Sequence, residues 1–213
     1  QMLAQPDGKI LAIGPFTTYN GSAASGILRI NNNGTRDSGF VTTVANVKAM
    51  ALQSDGKILI GGSFTTVNGV TRNYFARLLG TGDLDSSLTT VVGCCDVNDL
   101  LIQPDGKIVI AGGFSGVDGF IRPNLARLTS EGVLDQTLTA TPTTGSNLIT
   151  KLAIQPSGKY LTAINNSGIR RRNTDGSLDD TFPFATFSVT GSPRINSIFV
   201  DTDGSFLVGG YFS

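Results

Sequence analysis

The chain has 213 residues, of which only 15% are charged, with 16 Lys and Arg against 16 Asp and Glu. That balance gives no net positive field for nucleic acid or an anionic membrane surface, and no apolar run approaches the roughly 20 residues of a membrane-spanning helix. Histidine and tryptophan are absent, which removes the commonest catalytic base and metal ligand and the aromatic most used for sugar or quaternary-amine recognition.

The chain enters in mid-strand at Gln1-Met2-Leu3-Ala4 and runs into Gln5-Pro6-Asp7-Gly8-Lys9. This motif returns as Gln53-Ser54-Asp55-Gly56-Lys57, Gln103-Pro104-Asp105-Gly106-Lys107, Gln155-Pro156-Ser157-Gly158-Lys159 and, more faintly, Asp201-Thr202-Asp203-Gly204-Ser205. The motif glycines are separated by 48, 50, 52 and 46 residues, the period of propeller blades or solenoid units rather than of a single globular core. Apolar segments flank each copy, such as Met50-Ala51-Leu52 before the second and Ile58-Leu59-Ile60 after it. They lack polar alternation and so predict short strands covered on both faces, joined by a tight hairpin at Asp-Gly, whose residues tolerate positive φ.

Beyond the second strand, Gly14, Gly62, Gly112 and Gly210 precede Phe16, Phe64, Phe114 and Phe212 by two residues. A connection of the type Phe64-Thr65-Thr66-Val67-Asn68-Gly69 then leads to a third strand carrying Arg29, Arg77, Arg127 or Arg171. A second turn glycine follows each Arg, and eight residues after the Arg stands Asp37, Asp85, Asp135 or Asp179. An interval of eight in all four copies predicts an Arg/Asp clamp across the strand-turn-strand corner or between blades, since the planar guanidinium matches a carboxylate. Four strands and four connections per copy predict an all-β fold, a β-propeller segment of four-stranded antiparallel blades with about four full repeats and a partial fifth. The approximate units are 1–46, 47–96, 97–147, 148–193 and a partial 194–213, and the chain reads as an excerpt of a longer protein.

These residues resemble the delta-60 repeat family of bacterial and viral β-propeller sequences, with units of the form Q-P-D-G-K-[IL]-[LV]-[VI]-G-G-x-F-[ST]-x-x-N-G followed by A-R-L-x-x-x-G-x-x-D-x-x-F. Gln103 to Gly119 with Ala126-Arg127-Leu128 through Gly132 and Asp135 is a near-complete unit, and Gln53 to Leu88 is another. The resemblance implies a propeller within a large secreted, cell-surface or phage-appendage protein, and it carries over no catalytic motif. The fourth copy departs from the pattern: Lys159 to Arg171 spans 12 residues where the other copies span 20, and Ile164 replaces the glycine. This predicts a cropped connection and a local notch.

Alternation of strand direction puts the Asp-Gly turn and the Arg-to-Asp turn on one face, and the second-to-third and inter-repeat connections on the other. From the second turn glycine to the next Asp-Gly glycine the distance grows through 22, 24, 26 and 28 residues, so the inter-repeat connections 42–46, 90–96, 141–147 and 183–193 vary most. Even increments preserve which side chains point inward. Variable loops over a rigid scaffold are where recognition residues concentrate, and neutral loop drift produces the same pattern. The candidates on this face are Tyr19, Tyr74, Cys94, Cys95, Phe120, Asn147, Phe184 and Phe187. The aromatics suit a sugar or a protein partner, or equally roof the space between blades. Cys94-Cys95 is either a ring disulfide in an oxidising compartment or a pair of loop thiols.

No cofactor is expected. Asn173 to Asp180 and Asp201 to Gly204 place carboxylates around a glycine as calcium loops do, yet no bidentate Glu follows, and Asx turns account for them. The expectation is a non-catalytic interaction or structural module of an extracellular, cell-surface or virion protein, such as an adhesin or phage tail fibre. Its expected partners are a protein or a cell-surface glycan, or the other subunits of a surface or virion assembly, without nucleic acid or membrane insertion. The alternatives are a secreted propeller hydrolase or lyase and a purely architectural subunit-contact module.

Overall fold

The computed structural model describes residues 1–140, 148–186 and 194–212. Each repeat forms an antiparallel sheet in which the strand before the Asp-Gly turn, the strand after it and the Arg-bearing strand lie side by side in that order. In the first blade these are Met2–Ala4, Ile10–Gly14 and Gly26–Ile30, and in the second Val47–Leu52, Ile58–Gly62 and Phe75–Leu78. The third comprises Val97–Ile102, Ile108–Gly112 and Leu125–Leu128, the fourth Ile149–Ile154, Tyr160–Ile164 and Gly168–Arg172. Arg194–Val200 and Phe206–Tyr211 start a fifth. The first strands of the second to fifth blades pack against one another in chain order and form the inner edge of the array.

The core lies between blades, not within them. In the second blade Ile58 and Ile60 pack toward Leu11, Ile13 and Phe40 of the first, while the intervening Leu59 packs toward Ile108, Ile110 and Leu128 of the third. Alternate residues of one strand therefore serve opposite neighbours, which is why the middle strands are apolar but for Thr162 of the fourth blade. Full burial of each such side chain contributes about 1.5–3 kcal/mol.

The fourth strand is much reduced. In the first three copies it is a single bridge to the third strand, at Ile30 with Arg36, Leu78 with Leu84 and Leu128 with Leu134. In the fourth, besides a similar bridge between Arg172 and Leu178, Ala185–Thr186 pairs with Gly168 and Ile169. That is the copy whose second-to-third connection is cropped and whose inter-repeat connection is longest, so the longer segment occupies the vacated edge. In the other copies the second-to-third connection is a small hairpin, such as Thr66–Val67 with Val70–Thr71. It folds back along the blade until its tip reaches the opposite turn, where Asn68 Nδ2 donates to the Gly82 carbonyl at 3.2 Å. The hairpins thus cover the outer edges and do not crown the variable face.

Glycine is required where the connection from the previous repeat crosses the end of a middle strand. A Cβ on Gly112 would stand 2.0 Å from the Asp96 carbonyl oxygen, and one on Gly62 would stand 2.2 Å from that of Asn46. At the start of the third strand Gly26, Tyr74, Asn124 and Gly168 are equivalent, and all four take positive φ. Tyr74 does so at +67°, an unfavourable conformation for a bulky residue that is held by tertiary contacts.

Candidate functional site

Each Arg/Asp pair is in contact. Arg29, Arg77 and Arg127 donate through Nε to Asp37, Asp85 and Asp135 at 2.8 Å, and Arg171 donates to Asp179 at 2.7 Å. The same guanidiniums reach onward through Nη1 to turn carbonyls of the next blade: Arg29 to Gly80, Arg77 to Ser130 and Arg127 to Thr174. Two further participants were not singled out from the sequence. The Lys of the Asp-Gly-Lys turn reaches the same carboxylate, at 2.8 Å for Lys9 with Asp37 and Lys159 with Asp179. The motif glutamine bridges to the next blade as well, with Gln53 Nε2 donating to the Ser130 carbonyl and Gln103 Nε2 to that of Thr174.

The Lys9 ammonium, with the Gly39 N–H and Arg29, holds Asp37 down at about 2 against the opposing effect of burial. Burial pushes Asp85 up, but the Ser87 hydroxyl and N–H and Arg77 outweigh it and leave the carboxyl at about 2. These groups are fully engaged within the protein, and they occupy the constant face.

The opposite face, where the inner strands begin, has a different character. The pairing of each inner strand with its neighbour shifts by one residue at its start, between Val47 and Ala49, Val97 and Asp99, Ile149 and Lys151, and Ile195 and Ser197. Such a bulge inserts one unpaired residue and re-aims its side chain. The inserted residues are Lys48, Asn98, Thr150 and Asn196, one per blade at the same level, and all four line a cavity of 530 Å³. Asp96, Lys151, Asn165 and Arg194 complete its polar wall. Asn165 belongs to the short turn left by the cropped connection, so the notch opens onto this cavity.

Contacts across the cavity run from blade to blade. Lys48 Nζ bonds to Asp96 Oδ2 and, at 3.3 Å, to Asn98 Oδ1, and Asn98 Nδ2 donates to the Ile149 carbonyl at 3.2 Å. Behind the wall Asp99 accepts from the N–H groups of Leu100 and Leu152, with Lys151 Nζ 4.0 Å away. Burial pushes the Asp99 carboxyl above the usual range, against the Lys151 charge and the two N–H donors. Among the described residues no side chain or carbonyl is bonded to the Arg194 guanidinium. From the sequence the inner strands read as aliphatic, and the polar residues near their starts are not singled out.

The sequence candidates are dispersed and do not share this face. Tyr19 lies on the first hairpin and donates its hydroxyl to the Gly34 carbonyl at 2.7 Å. Phe120, 47% exposed, sits on the third hairpin at the outer edge. Tyr74 packs against the core between the second and third blades. Phe184 receives the Arg170 guanidinium over its ring at 4.2 Å. Cys94 and Cys95 are exposed free thiols between hairpin and cavity, and Cys94 Sγ lies 3.6 Å from Ser115 Oγ. Asn147 and Phe187 lie outside the described residues. The described aromatics do not converge, whereas the polar residues at the bulges do.

The turn carboxylates are used locally: Asp175 Oδ1 accepts from Ser177 N–H and Oγ, and Asp203 Oδ1 from Ser205 N–H. Among the described residues no group of three or more His, Cys, Asp or Glu is placed to hold a metal ion.

Solved structures share this arrangement of blades. The extracellular domain of a hybrid two-component system protein of Bacteroides thetaiotaomicron is 15% identical, with a TM-score of 0.56 over 99% of this chain and 26% of that one. A protein of unknown function from Bacteroides caccae is 17% identical, with a TM-score of 0.54 over 93% of this chain and 64% of its own. A protein named as a gluconolactonase is 12% identical, with a TM-score of 0.56 over 99% of this chain and 74% of its own. The chain thus spans about a quarter of the first of these and under two thirds of the second, and at such identities the likeness is one of fold. No curated protein matches the sequence. A family model matches residues 5–40, 53–88 and 103–138, each running from the motif glutamine to the residue three beyond the clamp aspartate. The chain belongs to the family described as the domain of unknown function DUF5122 β-propeller.

Proposed function

We propose that the chain is a non-catalytic recognition module of an extracellular or cell-surface protein, of the adhesin kind, which takes its ligand where the inner strands begin. The observation that carries this reading is the difference between the two faces. On one face the same Gln, Lys, Arg and Asp contacts recur from blade to blade. On the other, equivalent positions hold Lys48, Asn98, Thr150 and Asn196 around one cavity. Residues that differ at equivalent positions turn a repeating frame into an asymmetric site, as a specific ligand requires.

The carboxylates nearest the cavity already have structural work, Asp96 in its ion pair with Lys48 and Asp99 in capping Leu152, which favours binding over acid-base chemistry. The extracellular placement draws on the fold shared with the Bacteroides thetaiotaomicron extracellular domain. Partners of this face are a protein or a cell-surface glycan, bound without a cofactor. The test is binding of the chain to panels of glycans and isolated cell-surface proteins, beside Asn196→Trp, which fills the cavity from an exposed position. Ligand capture by the chain and its loss in Asn196→Trp are expected. Capture that survives the substitution, or no capture at all, would sink the reading.

A further inference from the structure

We infer that the cavity takes an acidic saccharide, a run of hydroxyl-rich rings bearing carboxylates, with Arg194 and Lys151 meeting the carboxylates. This rests on the reading of that face as the binding face and adds the chemical class of the ligand. Three cations, Lys48, Lys151 and Arg194, line the cavity against one carboxylate, Asp96, in a chain whose charges balance as a whole. Lys48 neutralises Asp96 directly. Asp99, behind the wall, sits at the 4.0 Å limit of an ion pair with Lys151, and burial disfavours its charged form. The positive charge left over is that of Arg194 and part of that of Lys151, and a guanidinium without a bonded acceptor among the described residues is matched in shape by a carboxylate, to which it gives two parallel hydrogen bonds.

The remaining wall is suited to hydroxyls. The side-chain amides of Asn165 and Asn196 have no protein partner among the described residues, and each offers both a donor and an acceptor to adjacent hydroxyl groups. Among the described residues no aromatic ring lines the cavity, and the groups they offer a ligand are hydrogen-bonding and charged. The volume of 530 Å³ lies within the range of about 300–1,000 Å³ typical of small-ligand pockets.

The experiment is calorimetric titration of the chain with trigalacturonate, with its fully methyl-esterified form as the neutral counterpart and citrate as a carboxylate without sugar. Trigalacturonate is expected to bind at least about tenfold more tightly than either comparator, a difference of about 1.4 kcal/mol. Its affinity should fall as salt is raised, because the contacts are partly exposed charge pairs. Arg194→Ala should weaken it about fivefold or more without moving the thermal midpoint, since among the described residues the replaced side chain holds nothing else in place. Equal binding of acid and ester, citrate binding as tightly as the sugar, or full affinity in Arg194→Ala overturns the assignment. So does the absence of binding to all three probes. In each case the panel experiment with Asn196→Trp still decides separately whether the face binds anything.

Discussion

The Asp99 carboxylate of the third blade accepts a 2.9 Å hydrogen bond from the backbone N–H of Leu152 in the fourth. Gln1 makes the same connection from the first blade to the second, with Oε1 accepting from the Met50 N–H at 3.1 Å. The inner strand of a blade has no further strand beyond it, so its amides need partners from elsewhere. A polar side chain from the preceding blade supplies one.

Asp99 can therefore be replaced by a residue that keeps the acceptor but not the charge. Its folded pKa lies above the unfolded value, so its contribution to stability is fully present at low pH and is lost as pH rises through the folded value. At pH 7 Asp99→Asn should match or exceed the parent in stability, whereas Asp99→Ala, which strands the Leu152 amide, should cost about 1–3 kcal/mol. Urea denaturation of the two variants checks this, and equal losses in both would refute it.

The clamps make a graded prediction. Arg127 and Asp135 are 4% and 8% exposed, and loss of one partner leaves the other buried without its counter-charge. Arg127→Met should destabilise by about 3–5 kcal/mol. Arg29→Met, in a more accessible pair, should cost less. A change below about 1 kcal/mol for Arg127→Met would show that Lys107, 3.2 Å from Asp135, suffices alone.

Acid should unfold the array through the same groups. Asp37 and Asp85 titrate at about 2 in the folded protein, and hydrogen bonds and the neighbouring cations hold Asp135 and Asp179 below the usual range despite burial. Folded values below the unfolded one of about 3.9 mean that this stabilisation is present above about pH 4 and is lost as pH falls toward 2. Thermal midpoints measured from pH 5 to pH 2 should drop steeply over the lower part of that range. A flat profile between pH 4 and pH 2 would be inconsistent with the clamps carrying stability.

The two cysteines should differ in reactivity. Bonding to Ser115 lowers the Cys94 thiol, and the neighbouring Cys94 raises that of Cys95. Since the thiolate is the nucleophile, Cys94 should label first at pH 7.5, and Ser115→Ala should slow it. Mass spectrometry of partially labelled chain distinguishes the two sites.

What could be read in advance, and what could not, has a physical basis. The Arg-to-Asp contact spans one strand, one turn and one bridge, a local corner of fixed length, so it shows as an interval of eight in every copy. The Lys that shares the carboxylate is separated from it by the variable hairpin, and its interval shrinks from 28 to 20 residues in the fourth copy while the contact persists. The bulges left no such mark. A single shifted pair at the edge of an apolar run looks like the run starting one residue later, so nothing in the sequence marks Lys48, Asn98, Thr150 and Asn196 as a set. The folding-back of the hairpins is likewise set by contacts with the preceding repeat, as when Thr43 and Asn68 exchange hydrogen bonds, and loop length alone does not encode direction.

The joints between blades all point the same way: an Arg and a Gln of one unit grasp backbone carbonyls of the next. Because the receiving groups are main-chain atoms, any following unit can accept the grip whatever its side chains. Whole units can then be duplicated or lost by recombination without any joint having to be reinvented. The cavity lining, made of single residues that differ from unit to unit, would be rewritten each time. A lineage built this way can change blade number and cavity lining together while its frame stays the same.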